Sequence, residues 1–519
     1  MLPRHLLAQS GAIDAVVAAT AQGRVRGLRE GDSCVFRGIP YAHVTGRWQA
    51  PQPVAPWADV RDAFAYGARS WQVPAPWAQS AEPMSNQCQV LNVWTPALDN
   101  RKRPVMVWCH GGGFMNGSAN TEDFAGQTLN ALGAVVVTHN HRLGLFGSLT
   151  LPGLSDERYA GADVAGMLDI VAVLEWVRDN IAAFGGDPDN VTIFGQSGGG
   201  GKVIALMAMP AARGLFHRAI VQSGALELTA ATPDQGLERT SQVMQQLGIN
   251  SVDELLAVSD EAVLQTQEAL LRASPPPGTT PVQLRPFAPV LHPRLLPEQP
   301  FLTEAPATAA AVPLLIGATR EESRAFFGPR DARVYQLDWD GLAERLAPIM
   351  GEDTEAAIAL YRRTRPSASP SDLFFAITTA QMYGATTERA AALKAVQGGA
   401  PVFRYEFRFD KGEKFGDGTE AIPLRAAHGT EVSLVFGHPD AGDDVQAALN
   451  RTKADQMSRT WVAFARTGDP NNAAIPEWPP YNTVTRPTMI FDGDNWVAED
   501  PDREERNWWQ QRADQSGGA

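Results

Sequence analysis

A serine set between glycines is the first group in this chain whose surroundings could do chemistry. Residues 195 to 199 read Gly195-Gln196-Ser197-Gly198-Gly199, directly after the apolar run Val191-Thr192-Ile193-Phe194. The helix-compatible run Lys202 to Ala208 follows. A serine on such a strand-to-helix elbow sits in strained backbone with its hydroxyl projecting from the sheet edge. The flanking glycines are needed because a Cβ would collide at the turn. A Gly-rich turn around a serine is also common by chance, so the pentapeptide needs partners before it means anything.

Acyl transfer through a serine requires a base, a group that orients the base, and donors for the oxyanion. His110-Gly111-Gly112-Gly113-Phe114 follows an apolar run ending at Cys109. Its glycines expose backbone N–H groups that no side chain shields, which is half an oxyanion hole; the N–H of Gly198 is the other half. The base must come from nine histidines. His5 falls in a fraying terminus and His217 on a helix surface. His43, His292 and His438 fall in Pro- or Gly-flanked loops with turn roles. His139 and His141 flank Asn140 at period two, but no third ligand is spaced to complete a metal site. His428 stands apart, in the small-residue loop Ala426-Ala427-His428-Gly429-Thr430 and late in the chain, as the order serine, acid, histidine demands. The acid should lie between the two, after a strand. Glu321 and Glu322, after Leu314-Leu315-Ile316-Gly317, both qualify by spacing, and both also read as an exposed first-turn pair favoured by the helix dipole.

The elements that must hold these residues alternate between strand and helix. Val105 to Cys109 and Ala134 to Thr138 are short continuous apolar runs, as strands buried on both faces of a mostly parallel sheet should be. Apolar residues recur at helical spacing between 164 and 184, and Gly185-Gly186-Asp187-Pro188 stops that helix. Pro313 to Gly317 and Pro401 to Phe407 read as later strands, with helical segments at 236 to 272 and 340 to 398 and a terminal helix after Asp500. The expected class is α/β, with a large, mostly parallel central sheet flanked by helices. At 519 residues several domains could be housed, but large α/β enzymes often run this long around one sheet. The expectation is one domain over 1–519, with helical insertions at about 226–310 and 345–420 walling a gorge or cap.

Composition narrows the partners. The chain is 44% hydrophobic and 20% charged, an ordinary globular mixture. A net charge of −14 without a basic patch argues against nucleic acid. No apolar stretch approaches the ~20 residues that span a bilayer, so no membrane partner is expected. Cys34, Cys88 and Cys109 are too few and too odd for a disulfide scaffold. Asp14 interrupts the weakly apolar N-terminal segment before a signal-peptide core forms. The expected setting is cytoplasmic.

Taken together, the motifs resemble those of the type-B carboxylesterases, which include the cholinesterases and many bacterial esterases. The resemblance runs from about residue 20 to 495. It rests on Phe36 to Ala42, Leu91 to Pro96, His110 to Phe114, Asn140 to Gly144, Phe184 to Pro188, the elbow, Gln222-Ser223-Gly224, Ala427 to Glu431 and Phe464 to Asn471. It implies the α/β-hydrolase fold and a Ser-Glu-His triad of Ser197, Glu322 and His428. The family's Gly-x-x-x-Asp-Glu-Gly pattern selects Glu322 over Glu321. It implies oxyanion donors at Gly112, Gly113 and Gly198, a supporting hydrogen bond from Ser223 behind the triad, and Gln196 beside it. Phe114, Leu226, Arg285 and Phe287 are the candidate pocket wall.

Departures from the family constrain the substrate. Gly198 stands where Ala is usual, within four consecutive glycines, which implies a looser helix start by about 1 kcal/mol per Gly. Gln196 replaces the Glu of cholinesterases, removing a negative charge and arguing against a quaternary ammonium substrate. Cys88 holds a position that is disulfide-bonded in secreted relatives, but its partner position reads near Ser70. Arg285 reads as an exposed loop charge, or else faces the pocket and accepts anionic acyl groups.

The expected function is hydrolysis of small carboxylic esters through an acyl-enzyme on Ser197, without cofactor or metal. An amidase, lactonase or carbamate hydrolase would use the same triad. A non-catalytic binding member of the fold would have lost part of it. Monomer and homodimer both remain open.

Overall fold

The computed structural model describes residues 14–75, 81–224, 230–273, 287–416, 421–439 and 444–516. In chain order the first strands are β1 (Ala15–Thr20), β2 (Gly23–Glu30), β3 (Ser33–Pro40), the short β4 (Arg61–Asp62), β5 (Val90–Thr95) and β6 (Arg103–Cys109). Then come β7 (Val135–His139), β8 (Gly186–Gln196), β9 (Arg218–Gln222), β10 (Leu314–Thr319) and β11 (Val402–Phe407). The last are β12 (Lys414–Phe415), β13 (Ile422–Pro423), β14 (Pro487–Phe491) and β15 (Trp496–Glu499).

Thirteen of these form one sheet, in the order β1-β2-β3-β5-β7-β6-β8-β9-β10-β11-β14-β15, with β4 on β2. Every neighbouring pair from β7 across to β14 is parallel. The outer pairs β1–β2, β2–β3, β3–β5, β5–β7 and β14–β15 are antiparallel.

The parallel strands are apolar on both sides because each side faces its own core. Val105, Val107 and Cys109 of β6 enter one cluster with Val135, Val137, Ile193, Leu314 and Ile316. Met106 and Trp108, between them in sequence, enter the opposite cluster with Val136, Phe194, Leu315 and Phe403. The two-residue period of a strand thus feeds both layers. The helices Ala165–Asn180 and Gly198–Ala208 cover the first side, and Val445–Thr467 covers the second with Met457, Trp461 and Phe464.

Local signals explain the junctions. Gly185 closes the turn before β8 in the left-handed conformation, φ 76°, so the helix ends and the strand begins without a linker. The helix Pro233–Leu247 starts on a Thr232–Gln235 capping box with proline in its first turn. Ser251 and Ser259 cap the next two, Val252–Ala257 and Asp260–Arg272. The 340–398 region resolves into Trp339–Met350, Thr354–Thr364 and Pro370–Thr379, then a π-turn at Ala380–Gly384 that leads into Ala385–Gln397. His217 is not on a helix surface: it lies in the bend before β9, where its Nδ1 accepts the Val191 N–H at 3.1 Å.

The fold lines up chemistry along one edge. The 110–114 loop leaves the carboxyl end of β6, Ser197 that of β8 and Ser223 that of β9. Glu322 follows β10 and His428 follows β11. In open parallel sheets, that edge is where ligands bind.

Candidate active site

The elbow is strained at the serine itself. Ser197 has φ 59° and ψ −128°, a region that non-glycine residues rarely occupy and that persists only when the surroundings enforce it. Enforcement comes from both sides: the Ser197 N–H donates to the Gln222 carbonyl at 2.9 Å, and the Ser197 carbonyl accepts from the Gly201 N–H at 3.0 Å.

The first three of the four glycines that follow are required by close approach. A Cβ on Gly198 would run into the Gly113 amide, and one on Gly199 would land on the Cys109 carbonyl oxygen. The glycine run therefore lets the helix lie directly against the 109–114 loop. Backbone contact thus occupies the space that side chains would need there.

Glu322 and His428 meet. Glu322 is fully buried; its Oε1 accepts the Thr319 N–H at 2.7 Å, and its Oε2 lies 2.5 Å from His428 Nδ1. A backbone bond from the Glu321 N–H to the Ala426 carbonyl, 3.0 Å, ties the two loops together. The neighbouring carboxylate points elsewhere, to Arg324 at 2.8 Å and Arg425 at 3.4 Å. Spacing left the two glutamates open, and the geometry separates them.

With Nδ1–H donating to Glu322, His428 Nε2 is left as an acceptor, a tautomer inferred from this pairing. That nitrogen is met by the Gln196 amide nitrogen at 3.2 Å and the Tyr383 hydroxyl at 3.5 Å. Ser197 Oγ makes no hydrogen bond among the described residues. The imidazole packs against the stacked pair Phe326 and Tyr383, with ring centroids 4.8 and 4.9 Å away. Serine–histidine bonds that form only with substrate are common in empty active sites.

On the other side of Ser197, the 112–114 backbone runs through three consecutive positive φ angles, 99°, 58° and 62°. The N–H groups of Gly112, Gly113 and Gly198 have no hydrogen-bond acceptor among the described residues. A Cβ on Gly111 would touch Ser197 Cβ at 3.4 Å, so this loop lies against the serine.

Beneath the loop is a buried cluster that motif reading did not single out. His110 stacks on His141 at 4.6 Å, and His141 lies 5.2 Å from His139. Lys202, fully buried, donates its ammonium to the His110 carbonyl at 2.9 Å. Burial, and after it the Lys202 charge, pushes His110 well below the ordinary imidazole range and His139 to about 3. His141 is lowered by burial first, then by His110 and Lys202. These rings are neutral supports. The available signal was a lysine, the first residue with a side chain, in an otherwise apolar helix, where a buried charge must find a partner.

The other expected residues fall as follows. Ser223 is buried, with φ 48°, and its Oγ has no hydrogen-bond partner among the described residues. Among the described residues the bond expected from it behind the triad is therefore not made. The polar group behind Glu322 is instead Glu431, fully buried and raised to about 7 by burial and by the Glu322 charge. Phe287 is 1% exposed, packs with Leu145, Phe146, Val243 and Leu255, and with Phe114 lines a small cavity beneath the 110–114 loop. Phe114 is also buried, turned under the loop by its positive φ. Leu226 and Arg285 lie outside the described residues. Cys34, Cys88 and Cys109 are free and buried, with Cys88 beside Ser70.

A cavity of about 600 Å³ lies away from Ser197, behind the 376–396 helical segment, and is lined by Arg320, Arg365, Arg404, Glu388, Glu406 and Asp502 among others. Those charges are engaged with one another: Arg320 with Glu406 and Asp502, Arg404 with Glu388. Among the described residues no helix is long and apolar enough to cross a membrane, and no group of three or more His, Cys, Asp and Glu side chains could hold a metal ion.

Residues 14–509 match the description of the carboxylesterase family. The chain belongs to that family. It is a carboxylic ester hydrolase by that membership and by its relatives. A para-nitrobenzyl esterase of Bacillus subtilis is 37% identical, over 94% of this chain and 97% of the relative. A phenmedipham hydrolase of Pseudarthrobacter oxydans is 32% identical, over 92% of this chain and 95% of the relative. Among solved structures, a Geobacillus stearothermophilus carboxylesterase superposes with a TM-score of 0.81 at 34% identity, covering 95% of this chain and 99% of that one. The carboxylesterase chain carries the α/β-hydrolase fold of these neighbours.

Proposed function

We propose that this carboxylesterase works through an acyl-enzyme on Ser197, with His428 as general base, Glu322 orienting it, and the N–H groups of Gly112, Gly113 and Gly198 receiving the oxyanion. The observation that carries the reading is the 2.5 Å contact between His428 and buried Glu322, set beside a serine strained to φ 59°. In the first step the Ser197 hydroxyl takes the place of the Gln196 amide at Nε2 and gives up its proton as Oγ attacks the ester carbonyl. The imidazolium, stabilised by Glu322, then protonates the departing alcohol. Water enters by the same route and releases the acid. The three free N–H groups are the donors that a tetrahedral oxyanion requires.

Gln196 contributes no charge beside the base, which favours neutral esters. The helices between 345 and 420 wall the approach, consistent with Tyr383 against the imidazole. The unit is read as one catalytic domain over 1–519. Its three free, buried cysteines suit a cytoplasmic setting.

Ser197→Ala is expected to lower kcat for p-nitrophenyl esters by about 10⁴-fold or more while the fold is unchanged. Near-full turnover by that variant overturns the assignment. The relative named as a phenmedipham hydrolase is the reason to include phenmedipham in the substrate panel.

A further inference from the structure

We infer that Lys202 is a positioning residue for the oxyanion hole, a clamp that holds both ends of the 110–114 loop. The inference rests on the reading of Ser197 as nucleophile. Four observations lead to it.

The helix that follows Ser197 begins with four glycines, so Lys202 carries the first side chain on that helix. It is the first group there that can reach the loop by anything other than backbone contact. Lys202 is fully buried, and lysine is almost never found so without a partner that repays its desolvation. One end of the loop is that partner: the ammonium donates to the His110 carbonyl at 2.9 Å. That carbonyl lies just beyond the last residue of β6 and accepts from no backbone N–H among the described residues. The other end is held too, because the same nitrogen lies 5.0 Å from the centre of the Phe114 ring, within cation–π range.

Between those two anchors lie Gly112 and Gly113, whose N–H groups are free and whose φ angles, with that of Phe114, are all positive. Three successive left-handed residues are a conformation the loop does not hold unaided. An oxyanion hole loses its value if its donors must reorient during the reaction. Fixing the His110 carbonyl fixes the peptide plane that leads into Gly111. Fixing Phe114 fixes the exit. The two amides are then aimed before substrate arrives.

Lys202→Met keeps an unbranched side chain one atom shorter than lysine and removes the donor and charge. Lys202→Gln is neutral and one atom shorter, with a weakened reach to the same carbonyl. Both are made in the full chain, active sites are counted by fluorophosphonate incorporation, and turnover is expressed per labelled site. A trifluoromethyl ketone, which adds to the serine as a hemiketal oxyanion, reports the hole directly.

Lys202→Met is expected to lose about 10- to 100-fold in kcat per site with KM within about threefold, and to bind the ketone more weakly by the same factor; removal of a direct donor costs about 10²- to 10³-fold. Lys202→Gln is expected to lose about 3- to 10-fold on the same scale. If Lys202→Met does not fold, Lys202→Gln alone decides. A folded variant whose turnover per site and ketone affinity stay within about twofold of the parent overturns the inference. A purely structural role would lower the number of labelled sites and leave turnover per site unchanged, which also overturns it. A parent enzyme that hydrolyses ester but takes up no fluorophosphonate instead refutes the Ser197 reading.

Discussion

The two sides of Ser197 are built by opposite means. On the base side, side chains do the positioning: Glu322 fixes one nitrogen of His428, Gln196 and Tyr383 meet the other, and two aromatic rings hold the imidazole plane. On the proposed oxyanion side the candidate donors are backbone amides. They are brought into place by what is missing, since glycines let a helix and a loop pack main chain to main chain. The base side can be edited atom by atom. The donors on that side carry no side chains to trim, so their tolerance is set by sterics, by backbone bonds such as Gly144 N–H to the Phe114 carbonyl at 2.7 Å, and by the Lys202 ammonium beneath.

That contrast can be broken experimentally in order of expected effect. The largest should come from Glu322→Gln, which keeps the shape and removes the charge that stabilises the imidazolium. It is expected to lower kcat by about 10⁴-fold with little change in Tm, as loss of the corresponding charge does in other triads. A loss below tenfold would mean that Glu322 is only structural.

Next is Gly199→Ala. A single methyl here meets the Cys109 carbonyl, and a buried backbone atom cannot move aside cheaply. A destabilisation of about 3 kcal/mol, or failure to fold, is expected in chemical denaturation. A variant of parental stability would show that the close approach is not obligatory.

Glu431 tests the ground behind the base side. Its carboxyl is raised from 4.5 to about 7 by burial and by Glu322. A group whose folded value is raised stabilises the fold most below its unfolded value, and that contribution is lost as pH climbs through the folded value. The parent should therefore lose stability relative to Glu431→Gln between about pH 4.5 and pH 7, seen as a growing Tm gap in favour of the variant. A gap that stays constant with pH contradicts this.

The smallest effect is expected from Gln196→Glu. A carboxylate beside the base should raise the kcat/KM preference for a choline ester over its neutral 3,3-dimethylbutyl analogue by a few-fold, about 1 kcal/mol or less in a wet site. An unchanged ratio would remove Gln196 from the account of substrate charge.

The parts legible in the sequence were those with an unambiguous period or a fixed order. Strands β6, β7, β8, β10 and β11 read as apolar runs because both their faces are buried. Ser197 and His428 could be named because each follows a strand in the order such a sheet requires, whereas order left Glu321 and Glu322 open and only the family pattern selected Glu322. The N-terminal strands escaped because β1 and β2 alternate exposed and buried residues at the sheet edge. The 23-residue helix Val445–Thr467 escaped because buried Asn450, Lys453, Ser458 and Thr460 interrupt its apolar stripe. Lys202 was passed over as one letter of a helical run. A residue's type does not reveal that its charge is buried until the partner, here a carbonyl 92 positions earlier, is placed beside it.

The central claim is that Ser197 is the nucleophile, and covalent capture tests it most directly. The parent enzyme is treated with a fluorophosphonate, digested, and the modified residue located by mass spectrometry. One phosphonyl group on Ser197, with activity lost in proportion and no adduct in Ser197→Ala, is the predicted result. An enzyme that hydrolyses esters while Ser197 remains unmodified, or that loses activity through an adduct elsewhere, would contradict the account.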